Sequence, residues 1–338
     1  MEAIPQGQRS VHHVLTQYRR LTSLWMRSYS HFGMKKVDPA SGYRESILAE
    51  ICYAFGVSRR GLVHRLLSPL LGGPVGRLAA IAAKADAEIE TGGLSGAARR
   101  ILPDLSIHPA ARGAEEIPAT GPLLMVSNHP GGFDSVAILS CIRRRDIKVV
   151  LSDAPLTRAF VSARRYFIFA AAHAAGGAKA LRGCIDHLRA GGALLIFPNG
   201  DVEPDPAVSG PAEQVFNGWS RSVGIMLREV PDARLQAAII SGVLLPKYSR
   251  NPLVRIRKTA ARRQKLAEIL QILRQLISPR AVRLNPRLSF AEPVEARDLD
   301  ERKPMPAVIG RARRLLEDHL AWIGATPSSP DAAGPADR

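Results

Sequence analysis

His129 and Asp134 are two residues whose types and spacing suit acid–base chemistry. The apolar run Leu123–Ser127 before them predicts a buried strand, and the apolar spacing of Ser135–Ile142 predicts a helix after them. His129 then lies on a strand-to-helix turn and Asp134 in the first helical turn, where a carboxylate can fold back onto the imidazole. A carboxylate on one ring nitrogen fixes the tautomer, so the other nitrogen can take a proton.

The turn between these residues contains Gly131 and Gly132. Glycines let a backbone pass close to a substrate, and the N–H groups at a helix start attract an anion. The alternative interpretation is an ordinary surface turn, in which Asp134 stabilises the helix dipole. Both interpretations remain open at the level of these residues alone.

Segment 128–134, NHPGGFD, resembles the N-H-x4-D signature of the glycerolipid acyltransferases. Segment 194–200, LLIFPNG, is similar to the F-P-E-G block of that family, and segment 240–246 is similar to its late strand-proline block. The resemblance covers about residues 105–325. It implies O-acyl transfer from a thioester donor to a hydroxyl of glycerol phosphate or a lysophospholipid.

The resemblance implies site residues at both blocks. His129 is the expected general base, with Asp134 as its partner. The residues expected at the substrate are Asn128, Gly131, Gly132, Phe197, Pro198, Asn199 and Gly200. Backbone N–H groups of the glycine turn or of the 199–200 turn are candidates to hold an oxyanion. The co-substrate is acyl-CoA or an acyl carrier protein, and we expect no bound cofactor and no metal.

The second block departs from the family pattern in ways that concern the acceptor. Asn199 stands where the family has glutamate, and the family's phosphate-linked arginines are absent. Asp201, Glu203 and Asp205 follow instead, and acidic groups would repel an anionic headgroup. Either Arg164, Arg165 or the basic run 255–265 supplies a phosphate contact, or the acceptor head is neutral, zwitterionic or cationic, as in a lyso-aminolipid. We expect a lysophospholipid-type acceptor before bare glycerol 3-phosphate.

The charge of the chain predicts an anionic partner. It has 47 basic and 30 acidic residues, a net charge of +17, with 46% hydrophobic and 5% aromatic residues. Nucleic acid, an anionic bilayer and phosphorylated or CoA-type substrates all fit this charge. No nucleic-acid-binding motif is present, so we expect the membrane surface and no nucleic acid. A lone His-x4-Asp disfavours a metal-dependent hydrolase. A catalytically weakened, lipid-binding family member remains an alternative.

The residue pattern divides the chain into three parts. Residues 1–104 predict a helical region in which 11–32 is amphipathic and 62–83 forms two short apolar helices broken at Pro69–Pro74. Each docks either on a bilayer or on the protein itself. Residues 105–324 predict an α/β domain, and 325–338 a disordered tail. We expect neither a signal peptide nor a spanning helix, and therefore peripheral attachment at the cytoplasmic face of the membrane.

Within 105–324, apolar strands alternate with helices. We predict strands at 123–127, 147–152, 166–170, 193–197, 235–245 and 282–290. This alternation is typical of a mostly parallel or mixed central sheet flanked by helices. Ligands of such sheets bind beyond the carboxyl ends of the strands. Because His129 and Asn199 each follow a strand end, we expect them to share one cleft.

Overall fold

The computed structural model describes residues 39–55, 62–170, 174–208, 216, 218–278, 281–300 and 302–325. The predicted helix at 11–32 and residues 326–338 of the predicted tail at 325–338 lie outside these residues, whereas Ala325 ends the last helix. The strands are β1 (Ala110–Arg112), β2 (Leu123–Ser127), β3 (Lys148–Ser152), β4 (Phe167–Ala170), β5 (Ala193–Ile196), β6 (Arg234–Ser241), β7 (Arg287–Phe290) and β8 (Val294–Glu295). The helices are α1 (Pro39–Phe55), α2 (Leu62–Ile101), α3 (Asp134–Cys141), α4 (Pro155–Ala159), α5 (Ala174–Arg189), α6 (Ser222–Glu229), α7 (Pro246–Ser249), α8 (Ala260–Ile277) and α9 (Pro304–Ala325).

The strands form one mixed sheet in the order β1-β7-β6-β2-β5-β3-β4, with β8 paired to β6. Strands β6, β2, β5, β3 and β4 are mutually parallel, whereas β7 runs antiparallel to β6. Strand β2 is central because its run of apolar side chains, from Leu123 to Val126, is buried on both faces of the sheet. The predicted α/β class, with a mixed sheet flanked by helices, is confirmed.

Alternate side chains of β2 enter two different cores, as the two-residue period of a strand requires. Leu124 and Val126 pack in the core that α5, α6 and α9 form on one face. Leu123 and Met125 pack in the core that α2 and α3 form on the other face. Strand β2 and the turn that follows it therefore have covering helices on both sides.

Helix α2 differs from the prediction of two short helices broken at Pro69–Pro74. It spans Leu62–Ile101 and is kinked at Gly93, whose φ of 65° and ψ of −175° are not helical, so two helical segments meet there. The first segment passes through Pro69 and Pro74 without a break. Packing overrides the local helix-breaking signals, because the Val75 side of α2 lies against α1 in a buried cluster. Among the described helices, none combines the length and the hydropathy of a transmembrane span.

The carboxyl-terminal half of α2 packs directly on the sheet. Ile89, Leu94 and Ala97 share a core with Met125 of β2. The boundary predicted at residue 104 therefore divides two regions that share one core.

Two predicted strands are shorter in the structure. β6 ends at Ser241 rather than Leu245, because Gly242 adopts a left-handed φ of 74°. The strand predicted at 282–290 is regular only over Arg287–Phe290. The early end of β6 leaves backbone N–H groups of residues 242–244 for other partners.

Asn128 joins β2 to β6 just beyond the regular ladder. Its side chain is fully buried; Nδ2 donates to the Ile240 carbonyl at 2.9 Å, and Oδ1 accepts from the Ile240 N–H at 2.9 Å. The amide thus acts as one more rung of the sheet. This place in the fold gives no support to the predicted contact of Asn128 with substrate.

Replacing Asn128 by Ala should lower the free energy of unfolding by about 2–4 kcal/mol, because two buried backbone groups lose their partners. Asn199→Ala is the matched control, since its amide makes one 3.3 Å hydrogen bond near the surface. It should cost less than about 1 kcal/mol. Urea denaturation measures both changes, and equal, small losses would contradict the role assigned to Asn128.

Candidate active site

The structure brings His129 and Asp134 into direct contact. His129 Nδ1 lies 2.6 Å from Asp134 Oδ2. Asp134 is fully buried at the start of α3, where its carboxylate also accepts hydrogen bonds from the N–H groups of Gly131, at 3.2 Å, and of Ser135. His129 Nε2 has no hydrogen-bond partner among the described residues, and the side chain is 26% exposed. The imidazole is therefore oriented through Nδ1.

The second predicted block lies beside this pair because β5 is the neighbour of β2. The Phe197 ring stacks on the His129 ring with 4.6 Å between centroids and 30° between planes. Pro198 is buried, and its carbonyl accepts from the Ser220 N–H at 2.9 Å. Asn199 and Gly200 form the turn after it, with Gly200 at φ 71°. The ends of β2 and β5 thus meet at His129 and Phe197. The cleft that His129 and Asn199 were expected to share stays a prediction.

Glu203 holds the backbone of His129 from both sides. Its Oε2 accepts from the His129 N–H at 2.7 Å, and its own N–H donates to the His129 carbonyl at 2.7 Å. Its Oε1 accepts from Trp219 Nε1 at 3.1 Å, and its side chain is buried. Glu203 thus faces the His129–Asp134 turn, which we call the catalytic turn for its predicted role, rather than an acceptor headgroup.

Asp205 is also turned inward. Its buried carboxylate accepts from four backbone N–H groups at 2.9–3.1 Å: Ala207, Gly242, Val243 and Leu244. These include the N–H groups that the early end of β6 leaves over. Of the three acidic residues after Gly200, only Asp201 is exposed. Glu203 and Asp205 therefore face protein groups rather than a headgroup, and repulsion of an anionic headgroup at close contact stays a prediction for Asp201.

Glu268 is a site residue that sequence reasoning missed. It comes from α8, and its carboxylate accepts from the N–H of Gly132. A Cβ at Gly131 would meet Glu268 Oε1 at 2.9 Å, and one at Gly132 would meet it at 3.1 Å. No local signal marks Glu268, since it lies 136 positions from Gly132. The Gly131 and Gly132 N–H groups, predicted oxyanion donors, thus already have carboxylate acceptors.

A comparison with protein-family models matches residues 108–219 to the family described as Acyltransferase. This segment contains both blocks of the site. These residues therefore match an acyltransferase domain. The chain is by class an O-acyltransferase, and the predicted resemblance to the glycerolipid acyltransferases is confirmed.

One solved structure similar to the acyltransferase is that of the 1-acyl-sn-glycerophosphate (LPA) acyltransferase PlsC from Thermotoga maritima. The two share 14% sequence identity and a TM-score of 0.44, over 85% of this chain and all of the other. A comparison with curated proteins found no match.

The site of the acyltransferase domain is strongly acidic around its histidine. Burial alone would lower the pKa of His129, but the ion pair and hydrogen bond with Asp134, helped by Glu268 and Glu203, raise it to about 9. Burial raises the pKa of Glu203 to about 7 against its hydrogen bonds. Burial likewise raises the pKa of Glu268, and the charge of Asp134 adds to the effect. The free site therefore favours the imidazolium at neutral pH.

Replacing Glu268 by Gln should lower the pKa of His129, because it removes one of the negative charges that favour the imidazolium. NMR titration of the imidazole carbon protons measures this pKa. Glu317→Gln, at an exposed position on α9, is the control and should leave the pKa in place. An unchanged His129 pKa in the Glu268→Gln variant would contradict the geometry described here.

Proposed function

We propose that this acyltransferase moves a fatty acyl group from a thioester donor to a hydroxyl of a lysophospholipid or related glycerolipid, with His129 as general base. The observation that carries the proposal is the His129–Asp134 pair, whose 2.6 Å hydrogen bond presents Nε2 as the proton acceptor. The donor is acyl-CoA or an acyl carrier protein. The protein's own side chains suffice, with no resident metal or cofactor in the step.

The proposed reaction is direct transfer without an acyl-enzyme. His129 Nε2 takes the proton of the acceptor hydroxyl while the hydroxyl oxygen attacks the thioester carbon. The C–S bond then breaks, and the imidazolium returns the proton to the departing thiolate. Asp134 stabilises the imidazolium throughout. The N–H of Gly132 is the proposed oxyanion donor, and it serves only when Glu268 withdraws from it.

The acidic surroundings of His129 impose a condition on this step. With a pKa of about 9, only about one molecule in a hundred holds a neutral imidazole at pH 7. An acceptor that displaces the Glu268 carboxylate from Gly132 would weaken this field and release the base. We therefore propose that acceptor binding and activation of His129 are coupled through Glu268.

The acceptor's phosphate is the feature that the family motifs leave unassigned. Two sources of a phosphate contact were predicted from the sequence, and the position of helix α8 favours one of them, the basic run 255–265. Gln264 Nε2 donates to the Pro130 carbonyl at 2.6 Å, so the start of α8 rests on the catalytic turn. Arg262 and Arg263 stand immediately before Gln264 and are exposed. They are the candidates to meet a lysophospholipid phosphate.

A second acceptor class follows from Glu268. A half-buried carboxylate beside the catalytic base suits an ammonium group, so a lyso-aminolipid is the alternative acceptor.

We propose in either case that the enzyme works peripherally at the cytoplasmic face of an anionic membrane, as the net charge of +17 favours.

His129→Ala should lower the rate of acyl transfer by roughly 10²–10⁴-fold, the usual contribution of a general base. Transfer from labelled acyl-CoA to a lysophospholipid measures it, with circular dichroism to verify the fold. His108→Ala is the matched control, since His108 is exposed and lies outside the site. Wild-type turnover by a folded His129→Ala protein would exclude the mechanism, and no transfer by the wild type would favour the lipid-binding alternative.

A competition among acceptors should place a lysophospholipid ahead of glycerol 3-phosphate, because the motif arginines that would bind a bare phosphate are absent. The mixture contains glycerol 3-phosphate, lysophosphatidate, a zwitterionic lysolipid and a lyso-aminolipid, and products are separated by mass spectrometry. Glu268→Gln should weaken use of the lyso-aminolipid selectively if its amine binds this carboxylate. Clear preference for glycerol 3-phosphate would refute the ordering.

A further inference from the structure

A turn near the catalytic site exposes two large apolar side chains. Leu253 is 53% exposed and Ile256 is 59% exposed, both in the 3-10 turn Pro252–Ile256. Their spacing of three residues places them on the same side of that turn. Between them, Val254 is buried and packs with Leu244 and Leu266. The turn is thus anchored through one side chain and presents the other two to the outside.

The turn is built to hold this shape. Asn251 caps it, since its side-chain oxygen accepts from the Leu253 N–H at 3.0 Å, and Pro252 occupies the first position. A capped turn with a fixed proline loses little conformational freedom on contact with a partner. The exposure of Leu253 and Ile256 therefore belongs to a defined surface.

Cationic side chains surround the two apolar ones. The exposed cations of this segment include Arg250, Arg255, Lys258 and Arg262, and none of these four makes an ion pair with a described residue. The sequence has no Asp or Glu between Asp232 and Glu268. We call residues 250–262 the basic apolar surface. Its charge is complementary to an anionic partner, and its two exposed apolar side chains suit a partner that has an apolar layer.

The basic apolar surface continues into the catalytic turn. It leads directly into Gln264 of α8. The side-chain amide of Gln264 donates to the carbonyls of Pro130 and Glu203. One helical turn later, Glu268 reaches the N–H of Gly132. A partner bound at this surface therefore adjoins the first turns of α8, which contact the turn that holds His129.

We infer that the basic apolar surface docks the protein on an anionic lipid bilayer, with Leu253 and Ile256 among the acyl chains and the four cations at the headgroups. The biological purpose of this docking rests on the proposed function, because it would bring a membrane-held acceptor to the catalytic turn. The docking itself does not require turnover.

The test is sedimentation of the full-length protein with vesicles of phosphatidylcholine containing phosphatidylglycerol. The apolar variant is Leu253→Ser with Ile256→Ser. Its control is Ile277→Ser, which changes a 59% exposed residue at the far end of α8, about 25 Å from the start of that helix. The apolar variant should bind at least about tenfold more weakly, since it removes two inserted side chains. The control should bind like the wild type.

The charge variant is Arg255→Gln, Lys258→Gln and Arg262→Gln. Its control removes three exposed cations, two just before α9 and one within it: Arg302→Gln, Lys303→Gln and Arg313→Gln. Near an anionic surface each lost cation should weaken binding about fivefold, whereas the control should lose much less. Vesicles of phosphatidylcholine alone should bind the wild type weakly.

Equal binding by the apolar variant and its control would overturn the inference, as would equal losses in the two charge variants. If the charge variant loses affinity for RNA while vesicle binding stays unchanged, the surface serves a polyanion and the inference also fails. Because sedimentation needs no catalysis, absent acyl transfer with the expected vesicle results would sink the proposed function and leave the docking surface standing.

Discussion

The buried carboxylate of Asp134 holds the imidazole of His129 through a 2.6 Å hydrogen bond, and the geometry of the site depends on this contact. A carboxylate out of water is tolerated only when its oxygens are well bonded. Here the ring nitrogen, the N–H groups of Gly131 and Ser135, and the start of α3 supply those bonds. The strand-to-helix turn is thus both the frame of the pair and the source of its stabilisation.

Elements distant in sequence hold this turn in place. Asn128 fastens its beginning to β6, Glu203 binds the backbone of His129, and Gln264 of α8 binds the carbonyl of Pro130. Glu268 then covers Gly132. Hydrogen bonds from several elements thus fix the position of the turn, and the carboxylates of Asp134, Glu203 and Glu268 stabilise the protonated histidine. In the free enzyme, therefore, the carboxylates that orient the imidazole also reduce the fraction of it that is neutral and able to accept a proton.

The sequence predicted the central part of this arrangement because local patterns encode it. Strand β2 has the predicted bounds, and Asp134 begins a helix as its spacing indicated. Contacts between residues distant in sequence were not predictable. Glu203 and Asp205 resemble exposed acidic residues in the sequence. No residue near Glu268 in the sequence indicates that its carboxylate binds the N–H of Gly132. The continuous helix through Pro69 and Pro74 was missed for the same reason, since the packing that maintains it comes from other parts of the chain. The roles of site residues in catalysis stay predictions.

The most direct test of the central claim is the pH dependence of kcat/KM for acyl transfer from about pH 6 to about pH 10, corrected for uncatalysed thioester hydrolysis. This ratio reports the ionisation of the free enzyme. The wild type should gain activity with rising pH and level off near the His129 pKa of about 9. In Asp134→Asn the residual activity should rise at lower pH, because the partner that raises this pKa is lost. A flat profile, or a rise unaffected by Asp134→Asn, would contradict His129 as the base held by Asp134.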